Sequence, residues 1–286
     1  MASENLRGSL WMVGAMAGFA AEDAFLKTVA HAMPVGEALV LLGLAGMVVF
    51  GLSAALSGQA IIPRAAFTRT MALRSAFEVA GRLFYALAIA MTPISTASAI
   101  LQATPLIVVP AAAVLFGEAV GVKRYLITAT GFIGVLIILR PGLSAFDPLS
   151  LLAVAGLLGF AGRDLATRAA PPALSNAQLG VAGFAMLALS GAIILGVTGG
   201  ATSPLPLLAP LVGASVFGIT GYAALTVAMR TGQVSAVTPF RYSRLVFAII
   251  LGMTVFDERP DAMTFLGAAI IVACGLAILV PQRRIS

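Results

Sequence analysis

Of 286 residues, 60% are hydrophobic and only 10% carry a charge, with a mean hydropathy of +1.05. A soluble domain carries about 25% charge, so the chain lacks the polar surface to coat a globule in water and falls in the membrane class. The net charge of +6 is read as the positive flanks of membrane spans rather than as a nucleic-acid surface, and the single cysteine, Cys274, excludes an intrachain disulfide.

Apolar runs of spanning length recur from one end to the other. They are Leu10–Ala30, Gly36–Leu56, Thr68–Ala90, Ile94–Phe116, Gly121–Arg140, Pro148–Arg168, Asn176–Val197, Leu205–Met229, Val234–Phe256 and Asp261–Val280. The first has charge inside it and no cleavage-site pattern, so it reads as a retained span rather than a signal peptide. Breakers fall in the gaps: Pro63, Pro93, Pro141-Gly142, Pro171-Pro172, Gly199-Gly200, Gly232 and Pro260. No soluble domain fits between spans, and the whole chain, 1–286, reads as one transmembrane domain. Placing the N-terminus in the cytoplasm puts Arg7, Arg64, Arg69, Lys123, Arg124, Arg168, Arg230, Arg283 and Arg284 on the same side. This bias predicts cytoplasmic termini in an inner (plasma) membrane of bacterial type.

The chain repeats itself. GFAAEDAFLK at Gly18–Lys27 returns as GFAGRDLATR at Gly159–Arg168, with Phe19 matched by Phe160, Asp23 by Asp164 and Lys27 by Arg168. YALAIAM at Tyr85–Met91 resembles AALTVAM at Ala223–Met229, LFGE at Leu115–Glu118 parallels VFDE at Val255–Glu258, and IILRP at Ile137–Pro141 parallels AILVP at Ala277–Pro281. Each copy, about 8–141 and about 148–281, holds five spans. An odd number makes the second copy enter the membrane inverted. The fold class is therefore an all-α polytopic membrane protein, ten transmembrane helices as two inverted five-helix repeats. Solute in such folds binds near the midplane, between the halves.

Five-plus-five spans, a charged first helix in each half, and Gly117-Glu118 or Asp257-Glu258 closing each fourth span resemble the drug/metabolite transporter superfamily in its EamA branch. The chain as a whole is most similar to the YddG-type exporters of aromatic amino acids. The resemblance implies alternating access, a small-molecule solute, no cofactor, a lipid-embedded monomer and export or facilitated transport of amino acids, aromatic ones included. One departure is that Trp11 stands well before Gly14 and Gly18, so the tryptophan-glycine signature common in the family's first helix is absent.

Ionisable side chains inside a span are costly and mark functional positions. Glu22, Asp23, Glu78 and Asp164 are the acids; Arg82, Arg163, Arg241 and Arg244 are the bases. Glu78 and Arg82 are one turn apart on a face that Arg74 and Tyr85 extend. That face reads as a self-neutralising pair, as a cavity wall, or as both at once. Adjacent residues on a helix diverge by about 100°, so one member of Glu22-Asp23 and of Arg163-Asp164 faces the pathway while the other meets a neighbouring helix. Asp23, Arg163 and Asp164 read as coupling or structural charges. Arg241 and Arg244 open the ninth span, opposite Gln102 and Pro105 in the first copy. The expected pathway set is Glu22, Glu78, Arg82, Tyr85, Gln102, Tyr222, Arg241 and Arg244, with Arg244 facing Glu78 and Arg82 across the cavity. Phe84 joins Tyr85 and Tyr222 as a candidate stacking surface. Glycines such as Gly43, Gly46, Gly131, Gly134, Gly156, Gly159, Gly218, Gly221, Gly267 and Gly275 read as close helix contacts.

An intramembrane enzyme needs a catalytic constellation. The only histidine, His31, falls in an outer loop, and no ligand-spaced His or Cys cluster exists to hold a metal. A scaffold or small-ion channel does not call for duplicated, charge-balanced spans. A transporter remains. Charges of both signs suit a zwitterion, whose carboxylate a guanidinium can take bidentately and whose cation a carboxylate can take. Amino acids are the main expectation; other zwitterionic or cationic metabolites or drugs, S-adenosylmethionine-like solutes among them, carried with protons, are the alternative.

Overall fold

The structure is a computed structural model that describes residues 2–116, 122–140, 146–168, 171, 173–200, 208–231 and 238–279. The described residues form α1 (Ala2–Ala30), α2 (Val35–Leu56), α3 (Arg69–Met91), α4 (Ile94–Leu101), α5 (Thr104–Phe116), α6 (Val122–Leu139), α7 (Ser150–Arg168), α8 (Asn176–Thr198), α9 (Leu208–Arg230), α10 (Ser243–Val255) and α11 (Ala262–Leu279). Short 3-10 turns at Arg64–Phe67 and Thr238–Tyr242 complete the set. The protein is all-helical, as its apolar runs require. Gly117, Glu118, Pro141, Gly142, Pro172, Gly232, Arg283 and Arg284, the side chains of Lys123, Arg124, Arg168 and Arg230, and the surroundings of Gly275 lie outside the described residues.

Local signals fix the helix ends. Ser175 accepts the Gln178 N–H while the Gln178 side chain accepts the Ser175 N–H, a reciprocal cap for α8. Thr68 caps α3 through Met71 N–H. Among the described helices, α2, α8 and residues Leu208–Ala228 of α9 are long and apolar enough to cross a bilayer by length and composition. By contrast α1 and α3 carry the buried charges Glu22, Asp23, Arg74 and Glu78, and α7 carries the part-buried Arg163 and Asp164. Leu44, Val48, Leu52, Val212 and Val216 are about half exposed, an apolar outer surface that lipid rather than water satisfies.

The expected fourth span is not one helix. It breaks at Gln102-Ala103, between α4 and α5, where Thr104 hydroxyl bonds back to Leu101 O at 2.5 Å. Pro105 has no N–H for a continuing ladder and disfavours helical backbone before it. The ninth run likewise enters through the Thr238–Tyr242 turn before α10 begins. These two interruptions are repeat equivalents, and they touch: Gln102 Nε2 donates to Arg241 O at 2.9 Å.

Helix packing follows a two-fold pattern. The most extensive contacts are α1 on α9, α3 on α7, α2 on α8 and α6 on α11. Exchanging the halves turns the first pair into the second and returns the other two to themselves. Glycine lets the seams close. A Cβ on Gly43 would lie 2.5 Å from Ala188 N, and one on Gly159 would lie 2.3 Å from Gly81 N. One apolar core unites α1, α2, α8 and α9, and a second unites α3 to α7 with α10 and α11. The charged belt lies between them.

Candidate functional site

A cavity of about 90 Å3 opens between the two cores. Its polar wall carries Glu22, Asp23, Arg82, Arg163, Arg241 and Arg244, and its aromatic wall carries Phe19, Tyr85, Phe160, Tyr222 and Tyr242. Gln102 and Asp164 also line it. Of the expected pathway residues, Glu22, Arg82, Tyr85, Gln102, Tyr222, Arg241 and Arg244 therefore meet in one place. Glu78 stands behind them.

Glu78 is fully buried. Arg82 Nε and Arg163 Nη1 donate to Glu78 Oε1 at 3.3 and 3.2 Å, and Arg74 Nη2 lies 3.3 Å from Glu78 Oε2. The i, i+4 pair foreseen on α3 thus forms: Glu78 is the hub of an α3–α7 clamp behind the cavity, and Arg82 joins that clamp to the cavity wall. Arg74, buried as well, makes the belt five arginines to four acids. A buried carboxylate held by several guanidinium groups offsets a desolvation cost that no single partner covers.

Arg244 does not face Glu78 as expected. Its Nη2 lies 2.6 Å from Asp23 Oδ2, which also accepts Tyr85 hydroxyl at 3.3 Å. The guanidinium stacks between Phe19 and Tyr85, at 5.3 and 5.4 Å from their centroids. The other half repeats the theme. Arg163 lies 4.8 Å from the Phe160 centroid, and its Nη2 donates to Asp164 Oδ1 at 2.8 Å. The matched positions Asp23 and Asp164 thus each hold an arginine that stacks on a matched phenylalanine.

Two ionic contacts are looser. Glu22 Oε1 is 3.8 Å from Arg82 Nη1, and Arg241 Nη1 is 3.7 Å from Asp164 Oδ2. By comparison, the Lys27–Glu258, Arg74–Glu78, Arg82–Glu78, Arg140–Asp261, Arg163–Glu78, Arg163–Asp164 and Arg244–Asp23 pairs are 3.3 Å or shorter. Both Glu22 and Arg241 line the cavity. Gly218 makes room for Glu22: a side chain there would come within 2.8 Å of the Glu22 carboxyl carbon.

Phe84 turns away and is 37% exposed. Its neighbour Tyr85 faces inward, and successive helical residues cannot share a face. Tyr222 does line the cavity, anchored by its hydroxyl to Leu179 O at 3.1 Å and packed edge-on against Phe50 and Phe184. The sequence reading missed Phe19 and Phe160 as wall residues. Their signal lies in the duplicated Gly-Phe-Ala, Gly18–Ala20 and Gly159–Ala161. Among the described residues no group of three or more His, Cys, Asp or Glu is arranged to hold a metal.

The EamA-like transporter family matches residues 6–140 and again 148–280. An S-adenosylmethionine uptake transporter of Rickettsia prowazekii is 26% identical over 218 residues, 74% of this chain and 72% of that protein. A riboflavin transporter of Vibrio cholerae is 27% identical over 282 residues, 93% and 91% of the two chains. Another riboflavin transporter, from Rhizobium johnstonii, is 30% identical over 201 residues, 68% of this chain and 65% of its own. One crystal structure shares the fold with a TM-score of 0.61 at 19% identity, covering 93% of this chain and 97% of the other. Two successive matches that together take in nearly every residue place the chain in its family: it belongs to the EamA-like transporters, membrane proteins and not enzymes.

Proposed function

We propose that this transporter takes up a zwitterionic metabolite that carries an organic ring, of the S-adenosylmethionine type, by alternating access of its two halves around the central cavity. One observation carries the reading: a single cavity presents one loosely paired carboxylate, Glu22, and one loosely paired guanidinium, Arg241, at 3.8 and 3.7 Å from their partners. A tightly paired charge has little to offer a solute. A loosely paired one exchanges its partner at small cost, and a solute bearing both signs satisfies both ends together. The aromatic wall of Phe19, Tyr85, Phe160 and Tyr222 supplies a face for the ring. The cavity, about 90 Å3, is smaller than the roughly 300–1,000 Å3 of open ligand pockets, so it accommodates a head group until the halves move apart.

Export of aromatic amino acids, the finer expectation from family resemblance, gives way to this reading, because the relatives are named for S-adenosylmethionine uptake and for riboflavin. Ten spans with both termini on the cytoplasmic side complete the proposal, supported by the Lys and Arg bias. A second reading, transport of riboflavin, is favoured by the relative that matches 93% of this chain; an uncharged ring system makes no use of Glu22 and Arg241.

Uptake by proteoliposomes separates the two. Wild-type protein is expected to accumulate labelled S-adenosylmethionine. Glu22→Gln should lose a charge-assisted contact worth about 1.5–3 kcal/mol, roughly tenfold to over a hundredfold in affinity. Uptake of riboflavin alone, or equal S-adenosylmethionine affinity in the two proteins, refutes the zwitterion reading.

A further inference from the structure

The belt is not the only ionic contact between the halves. Lys27 Nζ, at the end of α1, donates to Thr92 O at 2.8 Å and to Glu258 Oε1 at 3.0 Å, and lies 5.2 Å from the Phe256 centroid. Glu258 also accepts the N–H groups of Ile94 and Ser95 at 2.7 and 3.2 Å and the Ser95 hydroxyl at 2.8 Å. One carboxylate from the second half thus caps α4 and holds α1, both in the first half. The backbone is shaped for this. Asp257 takes a left-handed φ of 51°, and Glu258 N–H returns to Gly252 O at 2.9 Å. A side chain on Gly252 would meet Glu258 Oε2 at 2.6 Å.

The position of this contact gives it meaning. On one side lies the central cavity, which Leu26, next to Lys27, and Ile89, one turn before Thr92, help to line. On the other lies a second cavity of about 340 Å3, lined by Pro93, Ser95, Thr96, Arg140, Glu258 and Asp261. The two spaces share no lining residue. We propose that the Lys27–Glu258 ion pair is the gate between them. When it opens, Lys27 and Glu258 become the next pathway residues, Lys27 for the solute's carboxylate and Glu258 for its cationic centre. The solute part rests on the proposed function; the gate does not.

The test reads access without any solute. Cys274 is replaced by alanine and Ile89→Cys is introduced as the reporter. A membrane-impermeant methanethiosulfonate is then applied to sealed vesicles from each side. Lys27→Met should speed modification about tenfold or more from the side of the second cavity and leave the other side unchanged. Gly252→Ala, which unseats Glu258 without altering any charge, should do the same and covers the case in which Lys27→Met fails to fold. Unchanged rates in both variants overturn the gate. Faster modification in a protein that takes up neither S-adenosylmethionine nor riboflavin upholds the gate and refutes the solute reading alone.

Discussion

Gly159→Ala offers a direct test of the seam that builds the charged belt. A Cβ at Gly159 would stand 2.3 Å from Gly81 N and 2.6 Å from Gly81 Cα, whereas ordinary contacts begin at 3.4 Å. Both neighbours are backbone, so no side chain can swing aside, and α3 and α7 must part by about 1 Å. Overpacking of this kind costs about 1–3 kcal/mol. The same seam carries the 3.2 Å bond from Arg163 to Glu78, which a shift of that size stretches beyond hydrogen-bond range. The loss should therefore reach the upper part of that interval and appear in solute affinity as well as in stability. Thermal unfolding in detergent measures the first effect, at about 2–4 °C per kcal/mol for a chain of this class. Gly14→Ala and Gly196→Ala are the matched controls, because nothing lies within 4 Å of a Cβ at either position. Helices also prefer alanine to glycine. If Gly159→Ala unfolds within about 1 °C of the controls, the claim that backbone contact sets the α3–α7 distance is wrong.

Arg244→Gln leaves Asp23 buried with Tyr85 as its remaining hydrogen-bond donor, and breaking a buried pair costs about 3–5 kcal/mol. Adding Asp23→Asn should recover most of it, and a double variant no more stable than Arg244→Gln in detergent unfolding refutes the pairing. Acid stability follows from the end of the bundle where Glu258 and Asp261 sit. Burial raises the Glu258 carboxyl, but the Ser95, Ile94 and Lys27 donors outweigh it and hold it below its ordinary 4.5, while Arg140 and the Thr264 N–H lower Asp261 from 3.8 to about 2. Both groups are depressed in the folded state, so their contribution is complete above the ordinary values and is lost as pH falls through the folded ones. Unfolding temperature should therefore owe no change to these two groups between pH 7 and pH 5, and their share should fall only below about pH 4. A loss between pH 7 and 5 that Glu258→Gln abolishes contradicts this.

Much of the site was legible because duplication and burial of charge are both sequence properties. The repeat located Phe19 with Phe160 and Asp23 with Asp164, and an ionisable residue in an apolar run had to face the interior. The pairing was not legible. Helical spacing links Glu78 to Arg82 within α3, yet Arg163 reaches Glu78 from 85 positions away and Arg244 reaches Asp23 from 221. Such choices depend on which helices the two-fold brings together, and that is settled by glycine contacts along whole seams. The break at Gln102-Ala103 was foreshadowed by Pro105. Its hydrogen bond to Arg241 was not, because two equivalent positions meet only if the axis passes near both. Lys27 and Glu258 showed the same limitation. Each was visible as a repeat-matched charge, but the contact between them depends on the turn at Asp257 and the bare surface of Gly252.

The buried charges divide by how firmly they are held, and the proposed function assigns the firm pairs to the scaffold and the loose ones to the pathway. Glu78 and Asp23 have partners within 3.3 Å and stacked guanidinium groups nearby. Removing a partner from either exposes an uncompensated charge to a medium that cannot solvate it. Such groups cannot trade partners during a transport cycle without a large barrier. Glu22 and Arg241 can, because their contacts at 3.8 and 3.7 Å are weak enough for a solute's own charges to replace. Lys27 and Glu258 form a third case. Their contact is short and its side chains are only 11% and 10% exposed, but Glu258 borders the second cavity, from which water can reach the pair when it opens. On the proposed function a solute meets charges at the loose contacts and at the gate, while the tight pairs hold the helices that frame it.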